Sequence, residues 1–179
     1  TGRTEIPEET VELIKAGAAG SILYFSGCNV VDALQLRDLT EKVQKASLQS
    51  KAGLPQFVAI DQEGGRVNRM PQEITNLPPA SQITSLQDED LVKKSAELTG
   101  DLLKKSGFNL NFAPVLDIKK FSNEHAIGDR CFGNDKESVA KYGITTMKAL
   151  QEQGVVSVIK HFPGHGATKK DSHYFLNKS

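Results

Sequence analysis

The sequence predicts an α/β fold built on a parallel sheet, and three observations carry that expectation. Amphipathic segments alternate with short apolar runs four times along the 179 residues. Glycine separates each amphipathic segment from the apolar run that follows it, as expected where a helix stops and the chain turns into a strand. The apolar runs are continuous and not alternating, which is the pattern of strands buried on both faces.

The elements follow in order. Residues 7–16 form the first amphipathic segment, with Val11, Leu13 and Ile14 on one side. Pro7 suits a first helical turn, and Glu8 and Glu9 favour the positive end of the helix dipole. Gly17 and Gly20 lead into a strand over 21–25. The second helix is expected from Asn29, a good N-cap, to about Ser50, with Leu36, Leu39, Val43 and Ala46 at 3–4 spacing. Gly53 ends it, and 57–60 is the next strand. A third helix over 88–106 carries Leu91, Leu98 and Leu102, ends at Gly107, and feeds a strand over 108–116. The fourth, over 136–153, turns Val139, Tyr142, Met147 and Leu150 inward, and Gly154 precedes a strand over 155–159. The longest irregular stretches, 62–86 and 119–135, both follow strands, where loops of a parallel sheet carry function.

Composition narrows the classes of function. Lys+Arg and Asp+Glu are 22 each, so the net charge is zero, which argues against a nucleic-acid binder. No run of 18 apolar residues is present, so no transmembrane helix is expected. The first residue is Thr1 and not Met, so the lack of a visible leader carries little weight. Cys28 and Cys131 are expected to be reduced, structural thiols.

Polar residues gather after the strands. Asp61-Gln62-Glu63-Gly64-Gly65-Arg66-Val67-Asn68-Arg69 follows the second strand. Asp117, and further on Asp129-Arg130, follow the third. Lys160-His161-Phe162-Pro163-Gly164-His165-Gly166 follows the fourth. Three of the four histidines lie between residues 160 and 173. In a (β/α)8 barrel such strand ends converge on one site, and in an open doubly wound sheet they line a crevice; the strand count alone separates neither. Arg66 and Arg69, beside two glycines and two acids, suggest a polar pocket. Asp117, just before Lys119-Lys120, reads as structural. Pro163 and Gly164 keep His161 and His165 off a common helix face, so their spacing is not a zinc-helix signal. Asp171 and His173 lie two residues apart in a loop, so the carboxylate can fold back onto Nδ1–H, orient the ring and stabilise its protonated form.

Three segments together resemble glycoside hydrolase family 3, in its bacterial β-N-acetylglucosaminidase branch: Asp61 through Arg69 after the second strand, Asn111-Phe112-Ala113-Pro114-Val115-Leu116-Asp117, and the run from Lys160 through Asp171-Ser172-His173. Residues 22–26 and Arg130-Cys131-Phe132-Gly133 fit the same family. The resemblance implies a (β/α)8 barrel, of which residues 1–179 are expected to be a part truncated at both ends, roughly strands two to five with their helices. It implies retaining removal of terminal N-acetylglucosamine from cell-wall-type glycans through a covalent glycosyl-enzyme. His173 would be the general acid/base with Asp171 as its partner. Asp61, Arg69, Arg130, Lys160 and His161 would hold the sugar. No metal and no cofactor are implied, and a cytoplasmic location is expected, with an exported form as the alternative. An acid/base histidine departs from the usual pair of carboxylates. The family's nucleophilic aspartate, in a Ser-Asp-Asp segment, has no counterpart here and is expected beyond this chain. A β-glucosidase of the same family, a non-catalytic sugar-binding fragment, and a metal-dependent hydrolase using His161, His165, Asp171 and His173 remain as alternatives.

Overall fold

The computed structural model describes residues 4–74, 76–120 and 126–166. Among these, four strands form one parallel sheet in chain order: β1 (Ser21–Tyr24), β2 (Phe57–Ile60), β3 (Leu110–Asn111) and β4 (Val156–Ser157). Five α-helices accompany it: α1 (Glu8–Lys15), α2 (Ala33–Leu48), α3 (Ala80–Thr84), α4 (Glu89–Lys105) and α5 (Lys136–Glu152). A short 3-10 turn spans Gly128–Arg130. A sheet whose spatial order equals its chain order has no switch point, so every crossover runs the same way and the sheet is wound on one side.

Register shows what each face does. Ile22 pairs with Val58, and Tyr24 with Ile60 and then Asn111; this face packs on the helices. Leu23 aligns with Ala59, Leu110 and Val156 on the opposite face. There Leu23 is 37% exposed, Phe57 48% and Val156 44%. The expectation of strands buried on both faces therefore holds for one face only. The continuous apolar runs mark a second apolar face that the described residues leave partly open.

Other differences have local causes. Helix α2 begins at Ala33 and not after Asn29, because Asp32 is the cap: its Oδ1 accepts from Gln35 N at 2.8 Å. Asn29 Oδ1 instead accepts from Phe25 N at 3.2 Å. In α1, Ile14 is buried with Val11 beside it, whereas Leu13 points outward. In α4 the buried stripe is Val92, Ala96, Gly100 and Leu103, not Leu91, Leu98 and Leu102. Gly100 belongs to it because a Cβ there would sit 2.7 Å from Gln153 Cβ, so packing and not apolar size selects the face. Met147 of α5 is only partly buried, while Val139, Tyr142 and Leu150 are buried as expected. The 62–86 stretch is not wholly irregular, because it contains α3.

The strand expected over 108–116 pairs as a ladder only at Leu110–Asn111. Phe112 N still donates to Ile60 O at 2.9 Å, but Pro114 has no N–H to give. The chain rejoins the sheet at Val115, which bridges to Lys160. The peptide bonds before Pro114, His161 and Pro163 are cis. Similarly, the 155–159 strand shortens to Val156–Ser157, and Lys160 N is bonded to Pro114 O at 3.2 Å. Cys28 is exposed and Cys131 buried, and neither forms a disulfide.

Candidate active site

The C-terminal ends of β1 to β4 open onto a cleft of about 570 Å³ lined by Asp61, Glu63, Arg69, Arg130, Lys160, His161 and His165, with Leu23, Phe25, Val67, Phe112 and Ile127 as its apolar wall. The five expected sugar-holding residues, Asp61, Arg69, Arg130, Lys160 and His161, all reach it. Asp171 and His173 lie outside the described residues.

The 61–69 loop leaves β2 and is fastened from below. Asn111, fully buried in β3, accepts from Gln62 N at 2.9 Å and donates to Gln62 O at 2.8 Å. Gln62 Oε1 then accepts from Arg69 N at 2.9 Å, closing the loop on itself. The Gly64-Gly65 pair lies at φ of 91° and 54° and passes so close to Pro78 and Pro79 that a Cβ would come within 2.8 and 2.7 Å. Only glycine fits both that conformation and that contact.

Glu63, whose side chain is only 5% exposed, forms the floor. It receives Arg130 Nε and Nη2 at 2.8 Å each, a bidentate pair, and Lys160 Nζ at 2.5 Å. Burial pushes its carboxyl up, but the Arg130 bonds and the Lys160 charge outweigh that and hold it below the usual carboxylate range. Lys160 Nζ also reaches Asp61 Oδ1 at 2.7 Å. One buried anion thus positions two cations, and a second, more exposed anion faces the cleft. Arg66 does not enter the cleft, which corrects the expectation of a shared Arg66–Arg69 pocket. Its guanidinium holds the carbonyls of Ala126 and Ile127 at 2.6 and 3.0 Å and lies 3.0 Å from Asp129. In doing so it fastens the segment that delivers Arg130.

The 160–166 loop hangs on Asp117, whose side chain is 1% exposed. Oδ2 lies 2.6 Å from His161 Nδ1 and accepts from His161 N at 3.2 Å; Oδ1 accepts from His165 N and, at 3.0 Å, from Gly166 N. Gly166 is required because a Cβ there would meet Ile118 O at 2.2 Å. Burial raises the Asp117 carboxyl, yet the bonds from His161, His165 and Gly166 prevail and lower it.

Glu63, Asn111 and Asp117 were missed as site-organising residues. Each stood inside a quoted motif, and for Asp117 the signal was its place at a strand end. Among the described residues no three His, Cys, Asp or Glu side chains are grouped as metal ligands.

Comparison with known proteins places this geometry. The family described as Glycosyl hydrolase family 3 N terminal domain matches residues 3–179. Beta-hexosaminidase A of Pseudoalteromonas piscicida is 39% identical over 174 residues, covering 95% of this chain and 29% of its own. A beta-hexosaminidase of Photobacterium profundum is 38% identical, with 94% and 48% covered. Among solved structures, a glycoside hydrolase family 3 beta-N-acetylglucosaminidase from a Paenibacillus species superposes with a TM-score of 0.90 at 34% identity, over 99% of this chain and 33% of that one. NagZ from Neisseria gonorrhoeae in complex with N-trifluoroacetyl-D-glucosamine gives 0.85 at 30%, over 99% and 52%. The chain therefore spans about half or less of these relatives, and its one-sided parallel sheet is the N-terminal part of their (β/α)8 barrel. The chain belongs to glycoside hydrolase family 3.

Proposed function

We propose that the protein carrying this chain is a retaining exo-β-N-acetylglucosaminidase that removes terminal N-acetylglucosamine from cell-wall-type glycans. The observation that supports this reading most is the cleft itself. Asp61, Arg69, Arg130, Lys160 and His161 converge at the strand ends, and Glu63 holds two of the three cations in fixed positions. Such a ring of prealigned donors and acceptors suits a polyhydroxylated ring, and an apolar wall beside it suits a sugar face. The named beta-hexosaminidase relatives point to the same substrate class.

In this reading His173, oriented by Asp171, gives its proton to the departing glycosidic oxygen while a carboxylate attacks the anomeric carbon. The resulting glycosyl ester is then opened by a water whose proton returns to His173, with net retention. The carboxylates described in the cleft and behind it are engaged otherwise: Glu63 with Arg130 and Lys160 and Asp61 with Lys160 in the cleft, and Asp117 with His161 behind it. The nucleophile is accordingly assigned to a segment outside these residues. A cytoplasmic role in recycling wall fragments fits the substrate class.

The test is hydrolysis of an aryl N-acetyl-β-glucosaminide by the intact protein, with the anomer of the first-formed sugar read by NMR. No hydrolysis, or an inverted product, overturns the reading. His173→Ala should slow substrates with poor leaving groups far more than activated aryl glycosides, because the latter need less protonation. Since those carboxylates are all engaged, a second reading applies to the 179 residues alone: a sugar-binding piece without turnover. Calorimetry with N-acetylglucosamine tests it, and no heat at millimolar sugar counts against it.

A further inference from the structure

We propose that Asp117 is a positioning residue that holds His161 as the neutral Nδ1–H tautomer, so that Nε2 presents a lone pair, not a proton, to the cleft. The inference rests on the reading of this cleft as a sugar site, and deepens it by assigning the direction of one hydrogen bond.

The two ring nitrogens of His161 have different partners, and each partner has only one hydrogen-bonding role. Nδ1 lies 2.6 Å from Asp117 Oδ2. The carboxylate is buried, is held in its ionised form by the bonds already described, and can only accept. The proton must therefore be on Nδ1. Nε2 lies 3.4 Å from Arg130 Nη2. A guanidinium has donors and no acceptor, so the facing nitrogen must be the unprotonated one. A single state of the ring satisfies both contacts. The opposite tautomer would set a lone pair against the Asp117 carboxylate and an N–H against the Arg130 guanidinium.

Asp117 can impose this because backbone donors fix its own orientation. Its two oxygens take the backbone N–H groups of His161, His165 and Gly166, which fix the carboxylate plane before the imidazole docks on it. Arg130 cannot drift either, because Glu63 holds it through two bonds of 2.8 Å. The ring is gripped from both ends by groups that are themselves immobilised.

The consequence is a division of labour in the cleft. Lys160 and Arg130 donate, whereas Asp61 and His161 accept. A sugar hydroxyl that accepts from the Arg130 guanidinium can donate its own O–H as a hydrogen bond to His161 Nε2, so one hydroxyl satisfies both groups at once. A group that accepts but has no proton to give would meet only half of that pair. This makes Asp117, which never touches substrate, a determinant of recognition through the tautomer it enforces.

The test has two arms on the intact protein. In the first, histidine is labelled with 15N and the His161 signals are assigned by their loss in His161→Gln. Two-bond couplings then report which nitrogen carries the proton. A protonated Nδ1 and bare Nε2 are expected in the wild type, and Asp117→Asn, whose amide can donate to Nδ1, should shift the proton to Nε2. A wild-type ring protonated at Nε2 overturns the proposal. This arm needs no substrate, so it is independent of the enzyme assay that tests the function.

The second arm is a cycle of Asp117→Asn, His161→Gln and both together, read as kcat/KM on the aryl glycoside. Asp117→Asn should lower kcat/KM about tenfold, the value of one well-placed hydrogen bond, chiefly through KM. If Asp117 acts through the ring, the double variant should be little worse than His161→Gln alone. A role confined to holding the 165–166 backbone would persist without the ring, so full additivity of the two losses also overturns the proposal.

Discussion

The two loops that meet in the cleft are held in opposite ways. The 61–69 loop is tied by many small restraints: Asn111 clamps both backbone groups of Gln62, Gln62 takes the N–H of Arg69, and Gly64-Gly65 press against Pro78 and Pro79. The 160–166 loop is held by the sheet at Lys160, and beyond that residue it relies on one buried carboxylate, Asp117, which gathers the ring of His161 and three backbone N–H groups. Distributed restraint survives the loss of a member, and a single anchor does not. The first loop supplies the floor, Glu63, and is built to be rigid. The second supplies Lys160 and His161, and its geometry is set by the ionisation of one residue.

Glu63 is where the loops join, so its removal breaks both. Glu63→Ala leaves Arg130 and Lys160, both largely buried, with Asp61, His161 and the Ala126 carbonyl to meet them. Breaking a buried ion pair from one side costs about 3–5 kcal/mol, and the loss should appear in denaturant unfolding of the intact protein. It should abolish measurable sugar binding as well. A variant of near wild-type stability would show that the floor is not what joins the loops.

Asp117 gives the next largest effect, and like Glu63 it carries a pH signature on the acid side. Its folded carboxyl lies below the ordinary value of about 3.9. The stability it contributes is therefore fully present above about pH 4 and is lost as pH falls through the lowered folded value. Asp117→Asn should cost about 2–3 kcal/mol at neutral pH, as expected for weakened bonds to a buried charged acceptor. It should also flatten the fall of the unfolding midpoint between about pH 5 and 2. An unchanged acid slope would mean that the anchor is not this carboxylate.

How much of this was legible in the sequence divides along the same line. The helix–glycine–strand rhythm placed the four strands of the described residues, because helix stops and apolar runs are local signals. It misjudged the sheet's second face, since apolar residues look the same whether covered or open. The cleft residues Asp61, Arg69, Arg130, Lys160 and His161 were found through strand ends and family resemblance. Their supports were not. Glu63 pairs with Arg130 across 67 residues and Asp117 with His161 across 44, and no local pattern encodes such contacts. Asn111 is harder still, because its amide serves the backbone of a loop 49 residues away and leaves no charge pattern behind. Asp117 reads as structural in the sequence, and in the structure its bonds also hold the ring of His161.

Asn111→Ala probes the distributed loop. It leaves the N–H and C=O of Gln62 buried without their side-chain partners, which costs about 2 kcal/mol. The glycine packing and the Gln62–Arg69 bond should nevertheless keep Glu63 in place, so kcat/KM should fall less than in Asp117→Asn. The opposite order would reverse the comparison between the loops.

The smallest effect is expected at Arg66, and it tests whether distributed restraint extends beyond the first loop. Arg66 grips the 126–130 segment from the solvent side while Glu63 grips Arg130 from within. Because the guanidinium is half exposed, its ion pair with Asp129 is worth little, and the two carbonyl bonds carry what stabilisation there is. Arg66→Ala should cost about 1 kcal/mol and raise KM only a few-fold, since Glu63 still holds Arg130. Arg66→Lys keeps the charge but offers a single ammonium where the guanidinium spans two carbonyls and Asp129. If geometry matters, Arg66→Lys should behave like Arg66→Ala; if only charge matters, it should behave like the wild type. A loss from Arg66→Ala as large as that from Glu63→Ala would mean that Arg130 is positioned from outside the cleft, and that the buried floor is the lesser of its two supports.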